Sequence, residues 1–100
     1  MRSKIRVYDD GGKSIDRYTL VIPNEDELGK LDMWGFDENP FYPLGFGQYA
    51  GSYDKAHSYS HLGKLIPIDS LPSQAQEYVK QILREVNDLQ GLPLGTPRHL

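Results

Sequence analysis

Residues 6–22 constrain the fold of this chain most, because they carry the pattern of two strands joined by a turn. Residues 3–9 alternate well enough for a first strand. The run Asp9-Asp10-Gly11-Gly12 predicts a tight turn, since glycine adopts a positive φ without steric cost. Residues 14–22 predict the returning strand, so the chain is expected to begin with an antiparallel hairpin.

The returning strand carries an unusual number of polar side chains, which alternation divides between its two faces. Arg17 and Thr19 are expected on one face, whereas Asp16 and Tyr18 are expected on the other. Asp16 and Arg17 therefore should not line one site on a single face of the sheet.

The clearest helix follows Ser70, which we predict to be its N-cap, with Pro72 in the first turn. Apolar side chains then recur every three or four residues, at Ala75, Tyr78, Val79, Ile82, Leu83, Val86 and Leu89. This spacing predicts an amphipathic helix with one core-facing stripe, ended by Gly91 and Pro93.

Short elements are expected between the hairpin and the helix. Residues 33–36 and 64–68 predict strands, and Pro67 puts the second at a sheet edge. Residues 44–51 contain three glycines and two aromatics, which indicate close backbone approach or a bulged strand. Residues 24–33 predict a loop or one helical turn with Asn24 as its cap.

Together these elements predict an α+β fold, a small antiparallel sheet packed by one C-terminal amphipathic helix. The sheet would consist of the N-terminal hairpin and the further short strands. We expect one domain over residues 1–90 and a flexible or docking tail over residues 91–100.

Composition narrows the function classes. The chain has 100 residues, a net charge of -3 and no cysteine, which excludes disulfides and cysteine nucleophiles and fits a reducing cytoplasm. Its acidic excess argues against nonspecific nucleic-acid binding. It has no apolar run near the roughly 18 residues of a membrane span. The N-terminus lacks the apolar stretch of a signal peptide, so we expect a cytoplasmic protein.

Metal and cofactor chemistry has weak support. Asp54, His57 and His61 have the spacing D-x2-H-x3-H, and two histidines at that spacing would share a helix face. However, no third or fourth ligand is evident, and the glutamate of H-E-x-x-H is missing. We therefore expect neither a metal nor a cofactor.

A hydrolase is the alternative hypothesis. Its side chains would supply a base, an acid and a cation for phosphodiester chemistry; they are Arg17, Gln48, His61 and Lys64, with Asp16 as a further carboxylate. The hypothesis requires these groups to converge in one concave pocket.

A binding surface is the other hypothesis, because 7 of the 11 aromatic residues are tyrosines. Tyrosine is enriched in interface hot spots. The candidate binding residues are Tyr18, Trp34, Phe46, Tyr49, Tyr53 and Tyr59. The competing interpretation is that several of them are core residues whose hydroxyls reach water.

Four motifs resemble those of small proteins encoded on bacteriophages, plasmids and other mobile elements. They are V-Y-D-D-G-G-K-S-I-D-R-Y-T-L-V at 7–21, N-P at 39–40, G-F-G-Q-Y-A-G at 45–51, and H-L-G-K at 61–64 followed by S-L-P at 70–72. The resemblance covers most of residues 5–85. This chain departs from the group in its longer segment at 24–38 and in the tail from residue 91.

The resemblance implies an origin and a way of acting. Small proteins of such elements often bind one host or defence protein, and some inhibit nucleases of immune systems, as anti-CRISPR proteins do. We therefore expect a protein-binding module without catalysis of its own, whose partner is a host or defence protein.

Overall fold

The computed structural model of the chain describes residues 5–24, 26–55 and 59–91. The strands are β1 (Arg6–Asp9), β2 (Tyr18–Pro23), β3 (Lys30–Phe36), β4 (Gly47–Asp54) and β5 (Lys64–Ile66), and the helix is α1 (Ser73–Gly91). All strand pairs are antiparallel, in the order β4-β3-β2-β1-β5. The predicted α+β fold, with one C-terminal helix, is confirmed.

The helix packs on one face of the sheet, which we call the helix face. The stripe predicted from the sequence supplies four buried residues, Ala75, Val79, Ile82 and Val86. They meet the buried side chains of the sheet, Val7, Tyr18, Leu20, Ile22 and Phe36. Complete burial of each large aliphatic side chain stabilises the fold by about 1.5–3 kcal/mol.

The opposite face of the sheet, which we call the outer face, has a smaller cluster. It consists of Val21, Leu31, Met33 and Leu62, with Tyr8 and Tyr59 packed against it. Leu62 comes from the short 3-10 helix Ser60–Leu62, so the chain beyond β4 contributes to this cluster.

The hairpin is confirmed, but its connection is longer than a tight turn. Asp10 N–H donates to Arg17 O at 3.0 Å, and residues 11–15 form a bend rather than the start of the second strand. The Asp10 carboxylate accepts from Gly12 N at 2.8 Å and Lys13 N at 3.0 Å. These local bonds compete with strand pairing and hold the segment as a loop.

The loop also corrects the predicted faces of Asp16 and Arg17. Alternation holds from Tyr18 onward, but both residues precede the strand and do not follow its period of two. Asp16 lies near Thr19 on the outer face, whereas the Arg17 guanidinium lies 5.2 Å from the Tyr18 ring. The two residues still diverge, but each is on the side opposite to the one predicted.

The helix start is also corrected. Ser70 does not cap α1, because it closes the short 3-10 helix Ile68–Ser70, where its hydroxyl donates to Pro67 O at 2.7 Å. Gln76 N–H donates to Pro72 O at 2.9 Å, so the first helical bond begins two residues later. The helix is described as far as Gly91, and residues 92–100 of the predicted tail lie outside the described residues.

The glycine-rich segment 44–51 contributes to β4, which has both of the expected features, a bulge and a close backbone approach. The register between β3 and β4 shifts between Met33 and Trp34, leaving Ala50 as the extra residue of a bulge. Close approach is also present, since a Cβ on Gly47 would lie 2.9 Å from the Tyr78 ring. β5 lies at the sheet edge, as Pro67 predicted.

Candidate functional site

Two features outside the core are candidates for function. One is a cavity of about 210 Å³ on the outer face. The other is the edge of β4 that no described strand pairs with, which we call its free edge, with the apolar residues before it.

The cavity lies where five segments meet: the loop after β1, the strands β2, β3 and β4, and the chain after β4. Its lining residues are Asp10, Ser14, Asp16, Thr19, Met33, Gly35, Ala50, Tyr53, Tyr59, His61 and Leu62. The lining combines apolar side chains with carboxylates, hydroxyls and an imidazole.

The loop after β1 forms a wall whose hydrogen bonds are satisfied internally. Ser14 Oγ donates to Asp10 Oδ2 at 2.6 Å, in addition to the amide bonds to Oδ1. Burial opposes ionisation of Asp10, but the bonds from Ser14 and the amides lower its pKa overall. Asp10 is therefore ionised, and its carboxylate oxygens already accept hydrogen bonds from within the loop.

Asp16 and Thr19 differ from Asp10, because neither side chain has a hydrogen-bond partner among the described residues. Thr19 is 7% exposed and is the buried polar residue of this face. Asp16 lies against Gly35, where a Cβ would come 2.8 Å from Asp16 Oδ2. Glycine at position 35 thus makes room for the carboxylate.

Two tyrosines complete the cavity. Tyr53 donates its hydroxyl to Ala50 O at 2.9 Å, and Tyr59 donates its hydroxyl to Asp54 O. With both hydroxyl protons committed, the rings are held in place along the wall. His61 lines the same cavity from the 3-10 helix.

Arg17 lies on the helix face, away from this cavity. Its Nε donates to Asp9 Oδ1 at 2.8 Å and its NH1 group to Glu38 Oε2 at 3.1 Å. The bond from Arg17 is the main reason that the pKa of Asp9 is lowered. The same bond raises the pKa of Arg17, so the pair stays ionised.

This ion pair predicts a specific pH dependence of stability. A carboxyl whose pKa is lowered by folding stabilises the fold above its unfolded pKa, and the effect is lost as the pH falls through the folded pKa. We expect Arg17→Gln to destabilise the protein at about pH 7 but to match the wild type at about pH 2. Urea unfolding at both pH values measures the difference.

The control for this prediction is Lys80→Gln, which removes an exposed pair with Glu77 on one face of α1. Exposed pairs of this kind contribute little, so the control should show almost no change at either pH. An Arg17→Gln penalty that persisted unchanged in acid would contradict the assignment to Asp9.

The residues of the hydrolase hypothesis are not brought together. His61 lines the cavity on the outer face, and Arg17 is engaged on the helix face. Lys64 pairs with Asp9 in the sheet, and its charge also lowers the pKa of Asp9. Gln48 is opposite Gly35 on exposed β4 and does not line the cavity.

The free edge of β4 is the second feature. We use "β4 edge surface" for β4 together with three residues of the preceding loop, Phe41, Tyr42 and Leu44. These loop residues are 47%, 56% and 87% exposed, and Tyr49 on β4 is 53% exposed. Seven of the eight β4 residues are exposed.

Aromatic contacts anchor this surface to the core. Tyr49 meets Trp34 edge-on at 5.1 Å between ring centroids, and its hydroxyl donates to Asp32 Oδ1 at 3.1 Å. Burial, and then this hydrogen bond, raise the pKa of Tyr49. Phe41 meets Tyr78 of α1 edge-on at 5.9 Å, so both anchors lie on the helix face.

The aromatic binding candidates fall into three groups. Tyr49, with Trp34 and half-buried Phe46 beside it, belongs to the β4 edge surface or its support. Tyr53, although it lies on β4, lines the cavity on the outer face together with Tyr59. Tyr18 is 4% exposed in the helix-face core, so its ring is not available to a partner.

The described residues give no support to a metal site built on the spacing of Asp54, His57 and His61. Within residues 5–24, 26–55 and 59–91, no group of three potential metal ligands is found. His57 lies outside the described residues. No described helix has the length and apolar content needed to cross a membrane.

Comparisons with protein-family models, with curated proteins and with solved structures found no significant match to this chain. The function of the cavity and of the β4 edge therefore has to be inferred from the residues that form them.

Several residues of both features were missed at the sequence level. Thr19 and Gly35 are the clearest examples in the cavity, and Leu44 is the clearest on the β4 edge surface. A polar residue in the middle of an apolar strand, as Thr19 is in Tyr18–Ile22, is a usable signal. Leu44, between Pro43 and Gly45, carries no comparable signal.

Proposed function

We propose that this protein is a small binding module that captures one partner protein along the β4 edge surface and has no catalysis of its own. The observation that carries the proposal is the exposed eight-residue edge strand, preceded by exposed aromatic residues. An unpaired strand edge is a template for a strand of another protein.

The composition of β4 favours pairing with another chain. Edge strands that avoid association usually carry lysine, proline or several charges. The β4 sequence GQYAGSYD has neither lysine nor proline, and its one charge is at the last residue, Asp54. Backbone hydrogen bonds would then provide affinity, and neighbouring side chains would provide specificity.

The loop before β4 is held in one conformation, which lowers the entropic cost of binding. Asp37 and Phe46 bond to each other through their backbones at 2.9 Å, and Asp37 Oδ2 accepts from Phe46 N at 3.0 Å. Inside this bridge, Gly45 N–H donates to Tyr42 O at 2.7 Å. The exposed side chains at 41, 42 and 44 therefore project from a closed, hydrogen-bonded loop.

The partner we propose is a host or defence-system protein, inhibited by being bound. Support for this class comes from the resemblance of the motifs at 7–21, 45–51 and 61–64 to those of proteins of phages and other mobile elements. The hydrolase alternative has no supporting geometry, since Arg17 and His61 lie on opposite faces of the sheet.

The test is capture of a defined partner by wild type and by the double variant Tyr42→Ala/Tyr49→Ala. Each truncation of a hot-spot tyrosine costs about 2 kcal/mol, so the double variant should bind at least about 100-fold more weakly. The partner is first isolated from the natural host by affinity capture, and binding is then measured with purified proteins. Thermal unfolding checks that the variant remains folded.

Leu65→Ala is the matched control, because Leu65 is 57% exposed on β5, at the opposite edge of the sheet. It should leave the affinity unchanged. Loss of binding in Leu65→Ala with full binding in the double variant would place the interface elsewhere and reject the β4 edge surface.

A further inference from the structure

The cavity on the outer face holds two polar groups that the described protein leaves without a partner. Thr19 is more than nine-tenths buried, and an unsatisfied buried hydroxyl is destabilising unless water or a ligand bonds to it. The Asp16 carboxylate is likewise unpaired among the described residues, in space that the missing side chain of Gly35 provides. Both line one cavity, so a single ligand could satisfy both.

The charge of the cavity selects a cation. Its wall contains the carboxylates of Asp10 and Asp16, and none of its described lining residues is a lysine or an arginine. Asp10 already accepts three hydrogen bonds, whereas Asp16 has its full acceptor capacity free. An anion would meet two carboxylates at close range, so an anionic ligand is excluded.

The residue types of the lining favour a planar organic cation over a metal ion. The rings of Tyr53 and Tyr59 line the wall, and aromatic faces attract cations, guanidinium above all. Guanidinium is planar, weakly hydrated and presents a fork of donors that fits a carboxylate. A metal ion would need at least three suitable ligands together, which the described residues do not supply.

We propose that this cavity binds a guanidinium group, with Asp16 as its carboxylate partner and Thr19 as a further hydrogen-bonding group. The group would come from a free small molecule such as arginine or from an arginine side chain of a protein. The proposal rests on Asp16 and Thr19, which are not part of the β4 edge surface, although Ala50 and Tyr53 of β4 also line the cavity.

Titration of the ¹⁵N-labelled full chain with methylguanidinium at constant ionic strength tests the proposal. We expect saturable amide shifts at residues 16–19 and 33–35, with a dissociation constant on the order of 1 mM. Methylurea, planar but neutral, should bind at least about 10-fold more weakly because it lacks the charge-assisted bond. Equal binding of the two, or shifts that never saturate, would overturn the proposal.

Variants assign the site. Asp16→Asn and Thr19→Val should each weaken methylguanidinium binding, the first by about 10-fold or more. Because neither wild-type side chain has a described partner, neither variant should lower the unfolding temperature. Asp69→Asn, a change at an exposed carboxylate that does not line the cavity, is the control and should bind normally. Unchanged binding in Asp16→Asn would reject the site.

The source of the group is resolved by two further ligands. Tighter binding of L-arginine than of acetyl-Gly-Arg-Gly-amide would indicate a free small molecule. Binding of the blocked peptide at least as tightly would indicate a side chain of a protein. Failure of both ligands, with no shifts around Asp16, would overturn the proposal as the methylguanidinium result would.

Discussion

Phe36→Ala is expected to lower the free energy of unfolding by about 4 kcal/mol, because it empties the centre of the helix-face core. Phe36 is completely buried at the end of β3, with its ring 5.6 Å from Tyr18 and 5.3 Å from Tyr78. Domains of this size have about 5–15 kcal/mol of stability, so the variant should be close to unfolding. Urea denaturation followed by circular dichroism measures the change.

Phe41→Ala is the matched control, since both phenylalanines contact the same ring of Tyr78. Phe41 is 47% exposed, so its truncation should cost about 1 kcal/mol or less. Similar losses from the two variants would show that the core is not centred on Phe36. A larger loss from Phe41→Ala would contradict the complete burial of Phe36 and the partial exposure of Phe41.

Gly63→Ala is expected to have the second largest effect, a loss of about 3 kcal/mol or more. Gly63 has φ 95° and ψ -142°, a region that side chains rarely enter. Its Cβ would also lie 2.2 Å from Asp9 O and 2.6 Å from Asp10 Cα. Both are backbone atoms beside the β1–β5 pairing, so relief would require β5 to separate from β1.

Gly29→Ala separates the two causes. Gly29 also has a positive φ of 84°, but no atom lies within 4 Å of the position that its Cβ would take. It should therefore show the conformational cost alone, about 1 kcal/mol. The difference between the two variants measures the backbone clash together with the more restricted φ and ψ of Gly63, and equal losses would mean that both are relieved at no cost.

The helix and the strands could be predicted from the sequence because each has a side-chain repeat that is visible within a short segment. The stripe from Ala75 to Val86 follows the helical repeat, and Pro67 marks an edge strand wherever the sheet lies. The alternation of Tyr18 to Ile22 is likewise reproduced in the structure. Each of these predictions uses a rule that needs no knowledge of the rest of the chain.

The loop after β1 shows where such rules stop. The faces predicted for Asp16 and Arg17 assume that the second strand begins at residue 14. In the structure, hydrogen bonds to the Asp10 side chain hold residues 12–14 in a loop, and β2 begins only at Tyr18. The cavity depends on this loop meeting the bulge at Ala50 and the turn at His61, which are distant in sequence. No local pattern contains that juxtaposition.

Tyrosine shows a different limit. Tyr18 and Tyr49 have the same side chain and both lie on strands, yet one is 4% and the other 53% exposed. Their difference arises from strand order, because β2 is central and β4 is at the edge. Composition predicts that some tyrosines are exposed, but strand order decides which ones.

The strand order also has a consequence for how the chain emerges from the ribosome. Strands β1 to β4 pair with their neighbours in sequence, so this meander can form before the helix has been synthesised. The apolar face carrying Leu20, Ile22 and Phe36 stays uncovered until the segment from Ser73 onward arrives. Nascent chains of intermediate length therefore expose an apolar, aggregation-prone sheet face and are the form most in need of a chaperone.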